Sequence, residues 1–287
     1  MQNKTHMGMA LTILGAALFS LNAILLKTIT IDGLLLSALR GAIGGLVLLP
    51  FLRIKKMNWN LNTLLLFIAF TGQCTLIIYS VRMTSTPVAI GIQFTSPIWL
   101  YLAERKKGER FSLSRTWPLI VLLIGLILFM FSKGEGVTMT GNLIALCTSF
   151  THAAMTYFSK RVVGDCPIGT ASLCCLFLSA VIFLFMIPAP VQAVMSVPAS
   201  AWPMILALGI VQFGGGYAFY YMGVRHISSK TAGMLAPIEM VLAPTWVALF
   251  LGEWTDTVGL IGFVVVIIGV IGEVMVVSKE SKEVTAQ

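Results

Sequence analysis

Residues 231–253 read TAGMLAPIEMVLAPTWVALFLGE. The stretch carries one carboxylate near its middle, Glu239, between Pro237 and Pro244. It is long enough to cross about 30 Å of hydrocarbon as a helix. A glutamate at such a depth costs roughly 2.5–3.5 kcal/mol on insertion scales, so the rest of the chain has to make it tolerable.

Composition agrees with a membrane setting. Of 287 residues, 57% are hydrophobic and only 10% charged. Mean hydropathy is +0.93. Soluble domains carry about a quarter charged residues. The net charge of +8 does not indicate nucleic acid, because no basic stripe is interleaved with aromatics. It fits the positive charge of cytoplasmic loops. The cysteines (Cys74, Cys147, Cys166, Cys174 and Cys175) show no metal spacing, and four lie inside apolar runs, as small buried hydrophobes do.

Ten apolar runs follow one another: 7–27, 34–52, 61–82, 84–102, 116–132, 139–159, 168–188, 202–224, 230–251 and 258–277. The first is expected to be a span and not a cleavable signal, since no small-residue cleavage motif follows it. Backbone in lipid must satisfy its own hydrogen bonds, so each run is expected to be helical. With the N-terminus inside, fifteen Lys and Arg fall in cytoplasmic segments and only Lys27, Arg82 and Lys133 in outer loops. Both termini are therefore expected in the cytoplasm.

The chain also repeats. Residues 108–128 align with 252–272 at an offset of 144, both opening on Gly-Glu and sharing Gly125 and Gly269. Val81-Arg82 recurs as Val224-Arg225 at an offset of 143, and Gly8 and Lys27 recur as Gly141 and Lys160 at an offset of 133. The repeat unit is five spans. Five is odd, so the second unit enters the membrane inverted. The expected fold is an all-α integral membrane protein. Its ten transmembrane helices form two inverted five-helix repeats, residues 1–137 and 138–287, the second with a short cytoplasmic tail. Inverted repeats are a transporter architecture, with the substrate site at the midplane between them.

Four features carry a family resemblance: the five-plus-five plan, the corners Gly108-Glu109 and Gly252-Glu253, the paired Gly125 and Gly269, and Ser96-Pro97. In these the chain resembles the EamA family of the drug/metabolite transporter superfamily, over about residues 7–277. The family pattern has Glu-Pro near the ninth span. Here the order is Ile238-Glu239-Met240, with the prolines displaced to Pro237 and Pro244. The resemblance implies ten helices around a central cavity and transport of small metabolites, often export of amino acids or related compounds.

Glu239 has two readings, a structural hydrogen bond or a substrate and proton site. Its counterpart in the fourth span lies near Thr95-Ser96, so the two halves differ there by a carboxylate against hydroxyls. Pro97, Pro237 and Pro244 are candidate hinges, because proline frees a carbonyl one turn back and bends a helix; Pro87 is a further break. His152 is a packing residue or a proton relay. Gln73, Gln93 and Gln212 share one depth and read as interhelical hydrogen bonds or as a cavity lining, with Ser96 beside them. Phe94, Trp99, Phe213 and Tyr217 form either an interfacial belt or a ring wall for a substrate. Arg40, inside the second span, is expected to snorkel outward.

No Walker loop, metal cluster or catalytic constellation is present, so no enzyme activity, cofactor or metal is expected. The expected function is a secondary transporter working by alternating access. It exports an amino acid or related amine-bearing metabolite, with proton coupling through Glu239 and His152. The rival substrate is an organic cation, choline-like or drug-like; the rival class is a membrane sensor or enzyme that transports nothing. The expected partners are the small-molecule substrate, protons and the lipid bilayer of a bacterial inner membrane, with the chain a monomer or homodimer.

Overall fold

The computed structural model describes residues 2–21, 31–57, 59–84, 86–104, 113–130, 138–251 and 256–286. The Gly108-Glu109 and Gly252-Glu253 corners, Lys27, Lys133 and the basic residues 105–110 lie outside them. The described chain is helical, with no strand. In order the helices are α1 (Gln2–Ser20), α2 (Gly33–Leu48), α3 (Leu61–Met83), α4 (Thr86–Gln93), α5 (Ser96–Glu104), α6 (Leu113–Met130) and α7 (Met139–Val162). Then come α8 (Pro167–Phe185), the short α9 (Pro190–Met195), α10 (Trp202–Ala207), α11 (Gly216–Val224), α12 (Ser229–Leu235), α13 (Ile238–Leu251) and α14 (Thr257–Ala286). A π-helix, Leu208–Gly215, joins α10 to α11.

Ten apolar runs were expected, and six described segments are long and apolar enough to cross a membrane. Runs 7–27, 84–102, 116–132 and 139–159 are not among them. Run 84–102 is split at Phe94-Thr95 into α4 and α5. Run 116–132 gives a shorter apolar helix. Helix α7 is long but carries Thr148, Ser149, His152, Thr156 and Ser159, all buried.

The exterior is oily. Ile120, Ile124 and Ile127 on α6, and Val264, Ile268 and Ile271 on α14, stand exposed at i, i+4 and i+7. Such stripes on a soluble protein would be an aggregation liability; facing lipid they cost nothing. The polar side chains Ser37, Gln73, Ser96, Thr156 and Gln212 are buried instead.

The main packing pairs are α6 with α14, α3 with α7, α2 with α8, and α1 with α11. Glycines set the closest crossings. A Cβ on Gly125 would lie 2.7 Å from the Val266 amide nitrogen and 2.9 Å from the Gly262 carbonyl oxygen. A Cβ on Gly269 would lie 2.8 Å from the Leu122 nitrogen. Thus the two glycines matched in the sequence repeat are where α6 and α14 touch backbone to backbone.

At one end of the bundle, Asp32 caps α2. Its Oδ1 accepts from the Leu34 and Leu35 amides at 2.8 and 3.1 Å. Its Oδ2 accepts from Arg82 Nη2 at 2.9 Å. Partial burial alone would raise the carboxyl pKa; the Arg82 hydrogen bond and the two amides outweigh it and hold it below the ordinary 3.8.

Two outcomes follow. Gly125→Val should lower stability by about 1–3 kcal/mol through overpacking, read as a lower melting temperature in detergent, whereas Ile124→Ala on the outer face should change it little. Asp32→Ala should cost about 1 kcal/mol at neutral pH. Because the folded pKa is depressed, that contribution is lost as pH falls below the ordinary value. The melting difference between wild type and variant should therefore narrow below pH 3.8 and not above it.

Candidate functional site

Both interrupted helices break the same way. After the first break the Ile98 amide bonds the Thr95 carbonyl at 3.0 Å, and after the second the Met240 amide bonds the Pro237 carbonyl, also at 3.0 Å. Pro97 and Pro237 lack amide hydrogens, so each interrupts the helical ladder at the break.

Glu239 sits in the first turn of α13. The positive end of the helix dipole favours a carboxylate there. The side chain is half-buried. Among the described residues its carboxylate accepts no hydrogen bond. It is within electrostatic reach of Arg40, and also of Cys74, Tyr217 and Tyr220. Arg40 and Glu239 form no direct ion pair.

Arg40 does not snorkel. It is buried on α2, with Nη2 donating to Ser37 Oγ at 3.1 Å and Nη1 to Gln212 Oε1 at 3.4 Å. Its guanidinium lies over the Phe213 ring, 5.2 Å from the centroid. Rings continue the wall: Phe213 to Tyr217 at 5.0 Å, and Tyr217 to Phe70 and to Phe19 at 4.5 Å each. Tyr217 Oη lies 3.5 Å from Cys74 Sγ. The π-helix carries Gln212 and Phe213, both buried, and such windings are frequent at functional sites.

A second polar cluster surrounds the α4–α5 break. Ser96 Oγ and His152 Nδ1 are 2.8 Å apart, and the Phe94 ring stands edge-on to His152 at 5.7 Å. Thr95 Oγ1 is 2.9 Å from Ser149 Oγ, which also accepts from Trp99 Nε1 at 2.9 Å. Trp99 stacks on Phe150 at 4.0 Å. Gln73 Oε1 accepts from Thr151 Oγ1 at 3.0 Å. Gln93 Oε1, Thr71 Oγ1 and Thr75 Oγ1 are buried without a hydrogen-bond partner among the described residues. Each such atom costs about 1–3 kcal/mol, which a polar ligand or water at the site would offset.

The candidate residues therefore fall into two groups. Gln212, Phe213, Tyr217 and Glu239 gather around Arg40; Phe94, Ser96, Trp99 and His152 gather at the α4–α5 break. Glu239 is not among the groups acting on His152. Pro244 lies on the α13 backbone, and its side chain, like that of Pro87, is outside the described residues. Tyr217, Tyr220 and Tyr221 are all buried, which makes them an interior wall and not an interfacial belt. Sequence reasoning missed Arg40 as a member of the site, the contacts of Cys74, Phe70 and Phe19, and Glu273, whose signal was an isolated acid in the last apolar run.

Glu273 belongs to a closed end of the bundle, where α5 packs on α12 and Leu100 fills the space beside Gly233. Glu104 caps α12, its two carboxylate oxygens accepting from the Ser229 and Lys230 amides at 3.0 Å each. Glu273 is 1% exposed; it accepts from Thr231 Oγ1 at 3.1 Å, and Lys230 Nζ lies 3.9 Å away. The other two half-helices part company: α4 packs on α6 and α7, and α13 on α1 and α14.

Residues 139–275 match the model of the EamA-like transporter family. The threonine/homoserine exporter RhtA of Escherichia coli (strain K12) is 24% identical over 257 residues, covering 86% of this chain and 83% of that protein. RhtA of Salmonella typhimurium (strain SL1344) is 23% identical over 255 residues, covering 85% and 82%. A solved chain described as "Crystal structure of protein" superposes with a TM-score of 0.74 at 17% identity, covering 92% of this chain and 95% of that one, which is a likeness of fold. The multi-pass helical fold and the match over residues 139–275 make the second half of this chain similar to the EamA-like transporter family.

Proposed function

We propose that the protein is a secondary transporter that exports a small amine-bearing metabolite, of the amino-acid class of threonine and homoserine, by alternating access. The observation that carries this reading is Glu239: a half-buried carboxylate in the first turn of α13, with no hydrogen bond from a described residue, in a segment long and apolar enough to cross a membrane. Such a group is positioned to take an ammonium or a proton. The similarity to RhtA supports the substrate class. The ring wall alone would suit an organic cation equally well. Arg40 beside it speaks against that, because a second positive charge would repel such a substrate.

The packing supports two inverted units. The pairs α3–α7 and α1–α11 exchange with one another when the units are swapped, and α2–α8 and α6–α14 map onto themselves. With the Lys- and Arg-rich segments in the cytoplasm, the closed end is cytoplasmic and the diverging half-helices face outward. Export then requires the Glu104 cap on α12 to open and close in each cycle. No enzyme chemistry enters this scheme.

The first test is transport of labelled L-threonine by the chain in proteoliposomes under an imposed pH gradient. Glu239→Gln should lower transport about 10- to 100-fold, the worth of one hydrogen bond to a charge, with the melting temperature little changed. Full activity in that variant would overturn the role of Glu239. The second test concerns the gate. Glu104→Ala removes a cap worth about 1–2 kcal/mol, which shifts the equilibrium about 5- to 30-fold toward the state open at that end. A Leu100→Cys reporter should then label faster with a maleimide from the cytoplasmic side; an unchanged rate would show that the cap does not hold the gate.

A further inference from the structure

We propose that Glu273 is a proton-binding site, reached from the surface through the hydroxyls of Ser228 and Thr231, and that the proton it takes loosens the hold of α14 on α12. The site stands on its own geometry. Its meaning for transport rests on the gate assigned above.

Three hydrogen bonds fix the path. Thr231 Oγ1 donates to Glu273 Oε1 at 3.1 Å. That hydroxyl has one proton, so in its 2.9 Å contact with Ser228 Oγ it is Ser228 that donates. The Thr231 amide donates to Ser228 Oγ at 3.0 Å and holds that oxygen in place. Ser228 is exposed, whereas Glu273 is 1% exposed. The hydroxyls therefore donate in one direction, from the surface to a buried carboxylate. The carboxylate is also left unfinished: its Oε2 is buried and accepts no hydrogen bond. Lys230 Nζ, 3.9 Å from it, donates to the Arg115 carbonyl at 3.4 Å and lies 5.5 Å from the centre of the Tyr101 ring. A buried ion pair stabilises only when its geometry is close and its remaining lone pairs are bonded, and this pair meets neither condition.

The surroundings leave a proton as the fitting ligand. Besides Lys230, the charged groups that act on Glu273 are Glu104 from α5 and Glu280 from α14 itself. Arg115 of α6 pairs with Glu280 at 3.1 Å, and His6 of α1 meets Ser278 Oγ at 3.2 Å. Lys4 on α1 and Glu239 on α13 are not among the groups that act on it. A metal ion does not fit, because no three His, Cys, Asp or Glu side chains gather among the described residues and the Lys230 ammonium would repel it. A proton needs neither a ligand set nor a cavity. Transfer runs by exchange of O–H bonds: water gives a proton to Ser228 Oγ, the Ser228 proton passes to Thr231 Oγ1, and the Thr231 proton passes to Glu273 Oε1. One O–H bond forms and one breaks at each hydroxyl, and the carboxylate ends as a neutral acid. Its attraction for Lys230 is then gone, and its bond with Thr231 is no longer charge-assisted. Of the two carboxyl groups that hold the first turn of α12, Glu104 and Glu273, the second has let go.

The test is infrared difference spectroscopy of the full chain in proteoliposomes during a pH titration. Wild type should show a protonated-carboxyl stretch that Glu273→Gln removes. Glu273→Asp, which keeps the acid, should shift that band, and it carries the comparison if Glu273→Gln does not fold. After a pH jump from a photolysed caged proton, Thr231→Val should slow the appearance of the band about 100-fold, the usual worth of a positioned proton carrier. Thr231→Ser, which keeps the hydroxyl, should restore the rate. Glu273→Gln, a stand-in for the neutral acid, should also raise maleimide labelling of a Leu100→Cys reporter in a Cys147→Ser background. The expected gain is about 10-fold, the worth of one charge-assisted hydrogen bond. A carboxyl band that is the same in wild type and the Glu273 variants at every pH would overturn the proton site. A wild-type rate in Thr231→Val would overturn the path, and unchanged labelling in Glu273→Gln would overturn the hold on α12. Failure of threonine transport would overturn the proposed function and leave the spectroscopic result standing.

Discussion

A helix interrupted in the middle of a membrane is the constraint on which the structure turns. Hydrocarbon offers no hydrogen bonds, so the backbone groups released at Phe94-Thr95 and at Ala236-Pro237 are tolerable only inside protein. The surrounding helices supply that enclosure. Their outward faces are isoleucine, leucine and valine, and their inward faces carry serine, threonine, glutamine and histidine. Gly125 and Gly269 let α6 and α14 close together at the backbone. The polar interior, the kinks and the oily exterior are thus consequences of one requirement, that two broken helices be surrounded.

The same enclosure makes ionised groups affordable. Glu239 and Arg40 would each be costly in lipid. In the bundle each meets part of its need: a helix N-terminus for Glu239, and Ser37, Gln212 and the Phe213 face for Arg40.

Much of the fold was legible because membrane helices are written in composition. Run length, glycine spacing and the distribution of Lys and Arg are local signals. The paired glycines were visible as a repeat, and they prove to mark one helix crossing. The site was legible only in part. Glu239 stood out because an acid in an apolar run is rare. Arg40 was equally rare but was read as snorkelling, since its contact to Gln212 spans 172 positions and depends on how α2 meets the π-helix. Glu273 was present in the last run and lacked a visible partner, because Thr231 lies 42 positions away. His152 was paired with Glu239 as a proton carrier, and the structure places its Nδ1 2.8 Å from Ser96 Oγ. Depth along a helix is written in the sequence; azimuth around the bundle is not.

The π-helix at Leu208–Gly215 sets the azimuth of everything that follows it. In an α-helix residues five apart point about 140° away from each other, because each step turns about 100°. A π-helix, bonded from each residue to the fifth one on, turns less per step and brings residues five apart nearer to one face; Gln212 within it and Tyr217 just after it are both buried. The wider turn acts as a phase shifter: it lets one continuous span present an arginine acceptor in one half and a tyrosine wall in the other, on the same side. Tightening it to α geometry would keep every residue and every length while rotating Tyr217, Tyr220 and Tyr221 together toward another neighbour. The chemistry of the cavity is therefore stored in the winding number of one helix as much as in the identity of its side chains.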